Sequence, residues 1–596
     1  MMSKYTVTQS AVTQLLADVK SEKIAIPELQ RPFVWDSVKV RDLMDSLYNG
    51  YPVGYLITWH SIGAYLKGGQ VAAHQQILID GQQRITALRA AVAGLPIVTK
   101  RYQQKRISIA FNPLTEEFAT TTPFHRKDPE WISDISEFFN SSSPLGFARK
   151  YREANPEADE DVFERNLEKL AAIKSSQIGI IALADDLDVE TVSEIFVRIN
   201  SKGVPLSSAD FAMSKIATYG DRGRNLRKLI DYFCHLAIAP HAISDIRAND
   251  HEFASSKYFS QIEWLKDDNQ DIYDPAYHDV IRVAGLVGFQ RGKIASVVAE
   301  LSGRDPETRT TDESRIEPAF DKLEAALERI VRKYMFEKFV MLVKSIGFVR
   351  SNMINSTNAV NFAYALYLRL SEEGMHSAER DRIVKRWFAL SLLTGRHSGS
   401  FESTWEQDMR RISEVGAAAY LEQLEASLLS DAFWTATLPQ NLRTTSSSSP
   451  YFKVFLAAQV SGNAHGFLSK NIDVRAILEH SGDIHHVVPK AYLIKNGFDG
   501  RADANQVANY ALTETAINIA ISDAPPAEYM ARINAQCSDG VLSLGEITDP
   551  GQLAANLEEN AIPANFADFE IRDYEEFLEA RRELMAAYIR RYYEGL

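Results

Sequence analysis

Cysteine is nearly absent: Cys234 and Cys537 are the only two in 596 residues. That excludes a disulfide scaffold and a cysteine-rich zinc finger, and it fits a reducing compartment. Long apolar runs are missing as well. The opening "MMSKYTVTQSAVTQLL" has no apolar core of the signal-peptide kind. No stretch approaches the roughly 20 apolar residues of a membrane span. A cytoplasmic protein without a membrane partner is therefore expected. Positive charge is in deficit, with 65 Lys and Arg against 79 Asp and Glu and a net charge of −14. Such a balance argues against indiscriminate coating of nucleic acid. It leaves room for local basic patches, and any contact with DNA through them would be confined and salt-sensitive. The chain also lacks internal repeats and the phosphate loop G-x-x-x-x-G-K-[ST].

What is present is an ordinary globular composition, 45% hydrophobic and 24% charged, on a chain long enough for about three or four domains. Up to about residue 220, strand and helix patterns alternate. "DSVKVRDLMDSLYNG" places Val40, Leu43, Met44 and Leu47 on one helical stripe, with Gly50 as its stop. "EKIAI", "GYLITW", "QQILI" and "QIGIIAL" read as strands, and "RISIAFNPLTEEFAT" as a hairpin around Asn112-Pro113. "SAVTQLLADV", "DVETVSEIFVRIN" and "SSADFAMSKIATY" read as helices. From residue 221 to 440 the patterns are helical, including "AFDKLEAALERIVRKYMFEKFVMLVKSIGF" read as one long run. "TTSSSSP", residues 444–450, is a domain linker or a mobile loop. Residues 451–596 return to mixed structure and end in a helix from Asp573, where Asp573 and Glu576 form a capping-box pattern. The class expected is a multidomain α+β protein.

Three N-terminal stretches set polar residues where elements end: "IPELQRPFVW" (26–35), "IDGQQR" (79–84) and "FVRINSKGVPLSSAD" (196–210). In the second, a strand meets a helix whose Ile85, Leu88 and Val92 fall at helical spacing. Two readings stand side by side. Asp80 caps the helix and the glutamines are solvated, or the turn cradles an anion at the positive helix end. In the second case Gly81 allows close approach, Gln82 and Gln83 donate, and Arg84 forks onto phosphate oxygens. Together "IPELQRPFVWDSVKVRDLMDSLYNGYPVG", "LIDGQQRITAL" and "IFVRINSKGVPLSSAD" resemble the N-terminal domain of GmrSD-type, modification-dependent (type IV) restriction enzymes over roughly residues 8–215. That domain is similar to the ParB/sulfiredoxin-like fold. The resemblance implies a ParB-like α/β domain over residues 1–220 that binds and hydrolyses a nucleoside triphosphate of unspecified base. Asp80, Gly81, Gln82, Gln83 and Arg84 would hold the nucleotide, with Gln30, Arg31, Arg198 and Asn200 around it.

A second constellation lies near the C-terminus. "GDIHHVVPKAYL" carries His485 and His486, and "NYALTETAINIAIS" carries Asn509 and Asn518. Two adjacent histidines alone signify surface or core polarity. The order His, Asn, Asn resembles the ββα-metal (HNH) hairpin, and the segment resembles the nuclease domain of the same enzymes, with "NYAL" standing where that family usually has "NLTL". The resemblance implies that His486 is the general base and that Asn509 anchors the loop. His485, in the place of a family carboxylate, and Asn518 would hold a divalent metal, Mg²⁺ or Mn²⁺, with Asp483 as an alternative acidic ligand. Histidine favours softer ions than Mg²⁺, and the absence of surrounding cysteines argues against structural zinc.

Between them, "LLTGRHSGSFESTWEQDMRRI" places Arg396, His397 and Ser398 after a helical run, most simply as an inter-helix turn with Gly395 as C-cap. The clearest basic stretches hold Arg222, Arg224, Arg227 and Lys228, then Arg380, Arg382, Lys385 and Arg386. They are solvated faces or contacts for DNA phosphates. The function expected from these features is a nucleotide-regulated, metal-dependent DNA endonuclease of anti-phage defence. It would have a ParB-like domain (1–220), a helical connector (221–440) and an HNH domain (451–596), with modified phage DNA as substrate. A homodimer is compatible with this. Two other readings remain: a nucleotide-regulated ParB-like DNA-binding module with an inactive nuclease domain, and a toxin-like RNase.

Overall fold

The computed structural model describes residues 4–21, 23–25, 35–60, 76–98, 104–141, 143–184, 195, 208–217, 219–305, 308, 310, 312–480 and 484–596. The chain divides into two compact units, Met1–Asp231 and Tyr232–Leu596.

The first unit is built on a five-stranded sheet of order β1-β9-β3-β4-β2. Its members are β1 (Tyr5–Ala11), β2 (Ile24–Ala25), β3 (Leu56–His60), β4 (Gln76–Asp80) and β9 (Gln177–Leu183). β9 runs parallel to β3 and antiparallel to β1, while β4 is antiparallel to β3 and parallel to β2. Helices α1 (Val12–Lys20), α2 (Ser37–Tyr48) and α3 (Gln82–Ala91) bury apolar side chains in one core. The α2 stripe of Val40, Leu43, Met44 and Leu47 is buried as its spacing predicts. Asp36 starts this helix by accepting from Lys39 N at 2.9 Å.

Two short ribbons follow, β5 (Ile97–Val98) with β6 (Gln104–Lys105) and β7 (Ile109–Asn112) with β8 (Glu117–Thr120). The second is the hairpin expected at Asn112-Pro113. Asn112 Oδ1 accepts from Leu114 N at 2.8 Å and Thr115 N at 3.3 Å, so the side chain closes its own turn. The helix at Ser208–Ala217 is present, whereas most of the one expected over "DVETVSEIFVRIN" lies outside the described residues.

Among the described residues the second unit is mostly helical. The long run expected after residue 318 is two helices, α4 (Ile316–Ile330) and α5 (Lys333–Ser345). Arg332 between them is extended at φ −66°, ψ 114°, and the freed carbonyl of Val331 accepts from Trp264 Nε1 at 3.1 Å. α6 (Thr357–Glu372) is buried nearly all round and packs on α7 (Ser377–Thr394). Gly395 closes α7 at φ 63°, the left-handed C-cap that its position implies. α8 (Phe401–Val415) and α9 (Ala417–Leu428) follow.

The turn after α7 is fixed by a buried charge cluster. Asp408, fully buried, accepts from Arg396 Nε at 3.1 Å and from Tyr420 OH at 3.0 Å, and lies 3.3 Å from His397 Nε2. Burial raises the Asp408 carboxyl, but the bonds from His397 and Arg396 outweigh it and hold the group below its ordinary value. Asp408→Ala leaves the part-buried Arg396 and the buried His397 without their carboxylate, so it should destabilise the unit by about 1–3 kcal/mol. Chemical denaturation of the variant measures this directly, and a loss within error of zero would mean that the cluster is not structural.

Four residues of the basic stretches are engaged within the chain, while Arg382 is exposed. Arg224 pairs with Asp221, and Arg227 with Asp231. Arg380 bonds Asp381 and lies 4.3 Å from the Tyr367 ring centroid. Arg386 bonds Glu425 at 2.7 Å and sits over Tyr593. Residues 444–450 are also tied down: Thr444 O accepts from Val507 N at 2.8 Å, Thr445 O from Tyr510 OH at 3.2 Å, and Ser448 O from Asn355. They lead into α10 (Pro450–Ser461).

The remaining elements frame a small hairpin: β10 (Ile484–His486), α11 (Lys490–Lys495), β11 (Tyr510–Leu512), α12 (Thr515–Ile521), α13 (Pro526–Asp539) and α14 (Tyr574–Glu594). Asp573 does not cap α14 with its side chain. It accepts instead from Glu570 N at 2.9 Å and closes the short turn ahead of the helix. No helix among the described residues is long and apolar enough to cross a membrane.

Candidate active site

Two places gather polar groups, one in each unit. In the first unit, β4 ends at Asp80 and α3 starts at Gln82. Gly81 between them is left-handed at φ 95°, and a Cβ there would lie 2.2 Å from Leu56 Cδ2, so only glycine fits. The side chain of Asp80 does not cap α3, contrary to the simple cap reading. Its Oδ2 accepts from Arg84 Nη2 at 3.2 Å, one helical turn on, and Arg84 Nη1 donates to Tyr55 O at 2.5 Å. Gln82 Nε2 reaches back to Leu78 O at 3.5 Å, and Gln83 Oε1 accepts from Trp35 N at 3.4 Å. The first α3 backbone bond runs from Ile85 N to Gly81 O, so the N–H groups ahead of it lie at the positive helix end. The turn thus unites Asp80, Gly81, Gln82, Gln83 and Arg84. Gln30, Arg31, Arg198 and Asn200 lie outside the described residues.

In the second unit, β10 and β11 pair antiparallel with Ile484 opposite Leu512, His485 opposite Ala511 and His486 opposite Tyr510. Strand alternation sends the two imidazoles to opposite faces. His485 turns inward, 4% exposed and stacked on Phe467 with ring centroids 6.1 Å apart. Its Nδ1 lies 2.6 Å from Oδ1 of Asn518 on α12, and among the described residues its buried Nε2 has no hydrogen-bond partner. Burial pulls the imidazole down to about 4, with the charges of His486 and Arg581 acting in the same direction. A neutral ring is the state that ligates metal.

His486 is half-buried, and burial together with Lys490 lowers its pKa. Its Nε2 lies 3.0 Å from Asn505 Oδ1, and its ring meets Tyr510 edge-on at 5.4 Å. Asn509 is fully buried and grips the strand exit: Oδ1 accepts from Val488 N at 2.7 Å, and Nδ2 donates to Val488 O at 3.0 Å and to Ala504 O at 3.1 Å. Tyr529 OH donates to Val487 O at 2.8 Å. Behind the loop, fully buried Arg581 donates to Ala508 O at 2.7 Å and Asn560 O at 3.1 Å.

The hairpin therefore brings His485 to Asn518 and leaves His486 beside Asn505, with Asn509 between as a backbone clamp. Asp483 lies outside the described residues. Three contributors escape a reading of the sequence. Asn505 stands four residues before Asn509 and was the one accessible signal. Tyr529 and Arg581 offered none, since a Tyr or an Arg on an amphipathic helix looks like any other boundary residue. Among the described residues no group of three or more His, Cys, Asp or Glu surrounds a single point. The converging pair of one imidazole nitrogen and one amide oxygen nevertheless suits a divalent ion that accepts mixed N and O donors.

No curated protein matches the chain. Residues 12–217, which hold β2–β4, β9 and the Asp80–Arg84 turn, match the family model described as GmrSD restriction endonuclease, N-terminal domain.

Proposed function

We propose that the chain is a nucleotide-regulated, metal-dependent DNA endonuclease of anti-phage defence that cuts modified phage DNA. The observation that carries this reading is the hairpin at 484–521, where His485, His486, Asn509 and Asn518 stand within one ββα unit in the order that an HNH nuclease requires. The restriction-endonuclease description of the matched N-terminal family supports it.

Of the two histidines, His486 suits the base. His485 is 4% exposed and cannot meet water, whereas His486 is only half-buried. His486 takes a proton from water as the water oxygen attacks phosphorus. The bond from phosphorus to the departing sugar oxygen then breaks, and that oxygen takes a proton from solvent. Asn509 keeps the strand exit rigid so that the imidazole does not swing away. A divalent metal taking the place of the hydrogen bond between His485 Nδ1 and Asn518 Oδ1, with the ring hydrogen moved to Nε2, would be held by those two atoms and would supply charge stabilisation for the phosphate and the leaving oxygen.

In the first unit the Asp80–Arg84 turn is the nucleotide site. Arg84 is occupied by Asp80 and Tyr55 O, so a bound phosphate competes with the Asp80 carboxylate for one arm of the guanidinium. Chelation tests the metal. Nicking of supercoiled plasmid should vanish in excess EDTA and return with Mn²⁺ or Mg²⁺. Nicking that survives chelation would remove the metal from the account.

A further inference from the structure

The connection between β10 and β11 contains two asparagines that do different work. Asn509 bonds only backbone, and every contact its amide makes fixes Val488 or Ala504. Asn505 instead reaches a side chain, with Oδ1 3.0 Å from His486 Nε2. Among the described residues this is the one hydrogen bond seen on the His486 ring.

An amide oxygen only accepts. Facing it, Nε2 must carry the ring hydrogen, and Nδ1 is left with the lone pair. The hydrogen bond on one ring nitrogen thereby decides what the other can do. The backbone that presents Asn505 is itself held: Ala504 O accepts from Asn509 Nδ2 at 3.1 Å, and Asp503 O accepts from Tyr574 OH at 2.8 Å. The buried clamp that orders the strand exit also fixes where the Asn505 amide starts. Asn505 is half-buried and belongs to no apolar cluster, so its loss should not empty the core.

We propose that Asn505 is a positioning residue that fixes the His486 imidazole as its Nε2–H tautomer and aims Nδ1 at the attacking water. This rests on the reading of His486 as the general base. A purely structural role for Asn505 predicts something else: loss of stability or of DNA affinity, with no preference for an accepting oxygen.

The test is steady-state cleavage by the full chain in Mn²⁺, with melting temperature measured in parallel, for Asn505→Ala, Asn505→Asp, His486→Ala and the Asn505→Ala/His486→Ala double variant. Outer partners of functional histidines typically account for about 10- to 100-fold in activity. Asn505→Ala should lose that much in kcat, with KM and melting temperature unchanged. Asn505→Asp keeps an accepting oxygen at the same reach and should recover most of kcat. The double variant should be no slower than His486→Ala alone, because a misaimed base and a missing base cost the same step. If His486→Ala is inactive while Asn505→Ala keeps wild-type kcat, or while Asn505→Asp is as slow as Asn505→Ala, the role of Asn505 is refuted and the base assignment stands. If His486→Ala itself cuts at the wild-type rate, the underlying reading of the site has failed instead.

Discussion

His486→Ala should lower DNA cleavage by about 10²- to 10⁴-fold, the usual contribution of a general base, and leave folding and nucleotide hydrolysis intact. The side chain is half-buried, its Nε2 faces Asn505 Oδ1, and its ring meets Tyr510 edge-on. Truncation therefore removes little from the apolar cluster beneath the hairpin, which is built from residues such as Val487, Val488, Leu493 and Tyr529. His485→Ala is the informative contrast. That ring is 4% exposed and stacked on Phe467, so its removal should disturb packing and metal dependence together. Plasmid nicking and melting temperature, read on both variants, separate the two histidines. Wild-type nicking by His486→Ala would end its assignment as base.

Arg84→Ala should abolish the response of cleavage to nucleotide. The guanidinium is the one strong cation of the Asp80–Arg84 turn, and its two arms are already aligned by Asp80 and Tyr55 O. A fork held in place loses less freedom when it takes up a phosphate. Phosphodiester hydrolysis does not require a second hydrolysis to drive it, so the proposed nucleotide site is best explained as a gate. Gating requires that nucleotide bind the cleavage-competent and resting states with different affinity. Coupling of about 1–3 kcal/mol would change cleavage about 5- to 150-fold. Wild-type nicking should shift by a factor in that range on addition of nucleoside triphosphate, and Arg84→Ala nicking should not shift. Equal wild-type rates with and without saturating nucleotide would make the two sites independent.

The strands and helices with a buried stripe were readable from sequence, because burial is what creates periodicity. α2 and the Asn112 hairpin follow directly from their residues. β1 was not expected: Tyr5 and Val7 are more than half exposed, so the strand has no buried face to mark it and is defined only by pairing with β9. The α4–α5 break was hidden for the opposite reason. "ERIVRKYMFEK" contains no glycine or proline, and the chain leaves the helix at Arg332 where Trp264 claims the Val331 carbonyl. That is a tertiary contact with no local signature. The partners of the basic runs are local for Arg224 and Arg380, which pair with Asp221 and Asp381, but Glu425, the partner of Arg386, comes from a distant segment that no local pattern announces.

In the hairpin, residue order located the histidines and asparagines but not their partners. His485 with Asn518 and His486 with Asn505 are pairings across 33 and 19 residues. The sequence of the D-G-Q-Q-R turn likewise suggested a cap at Asp80, and geometry assigns that carboxylate to Arg84.

The proposed reaction is metal-dependent hydrolysis of DNA at the 484–521 hairpin. The most direct measurement is cleavage of a panel of plain and modified duplex DNAs, with RNA in parallel, by wild type and His486→Ala in Mn²⁺, each with and without nucleoside triphosphates. The account predicts that wild type cuts at least one modified DNA, with a rate that depends on nucleotide, that RNA stays intact, and that His486→Ala cuts nothing. Binding of DNA without cleavage under every condition, or digestion of RNA in preference to DNA, would contradict it.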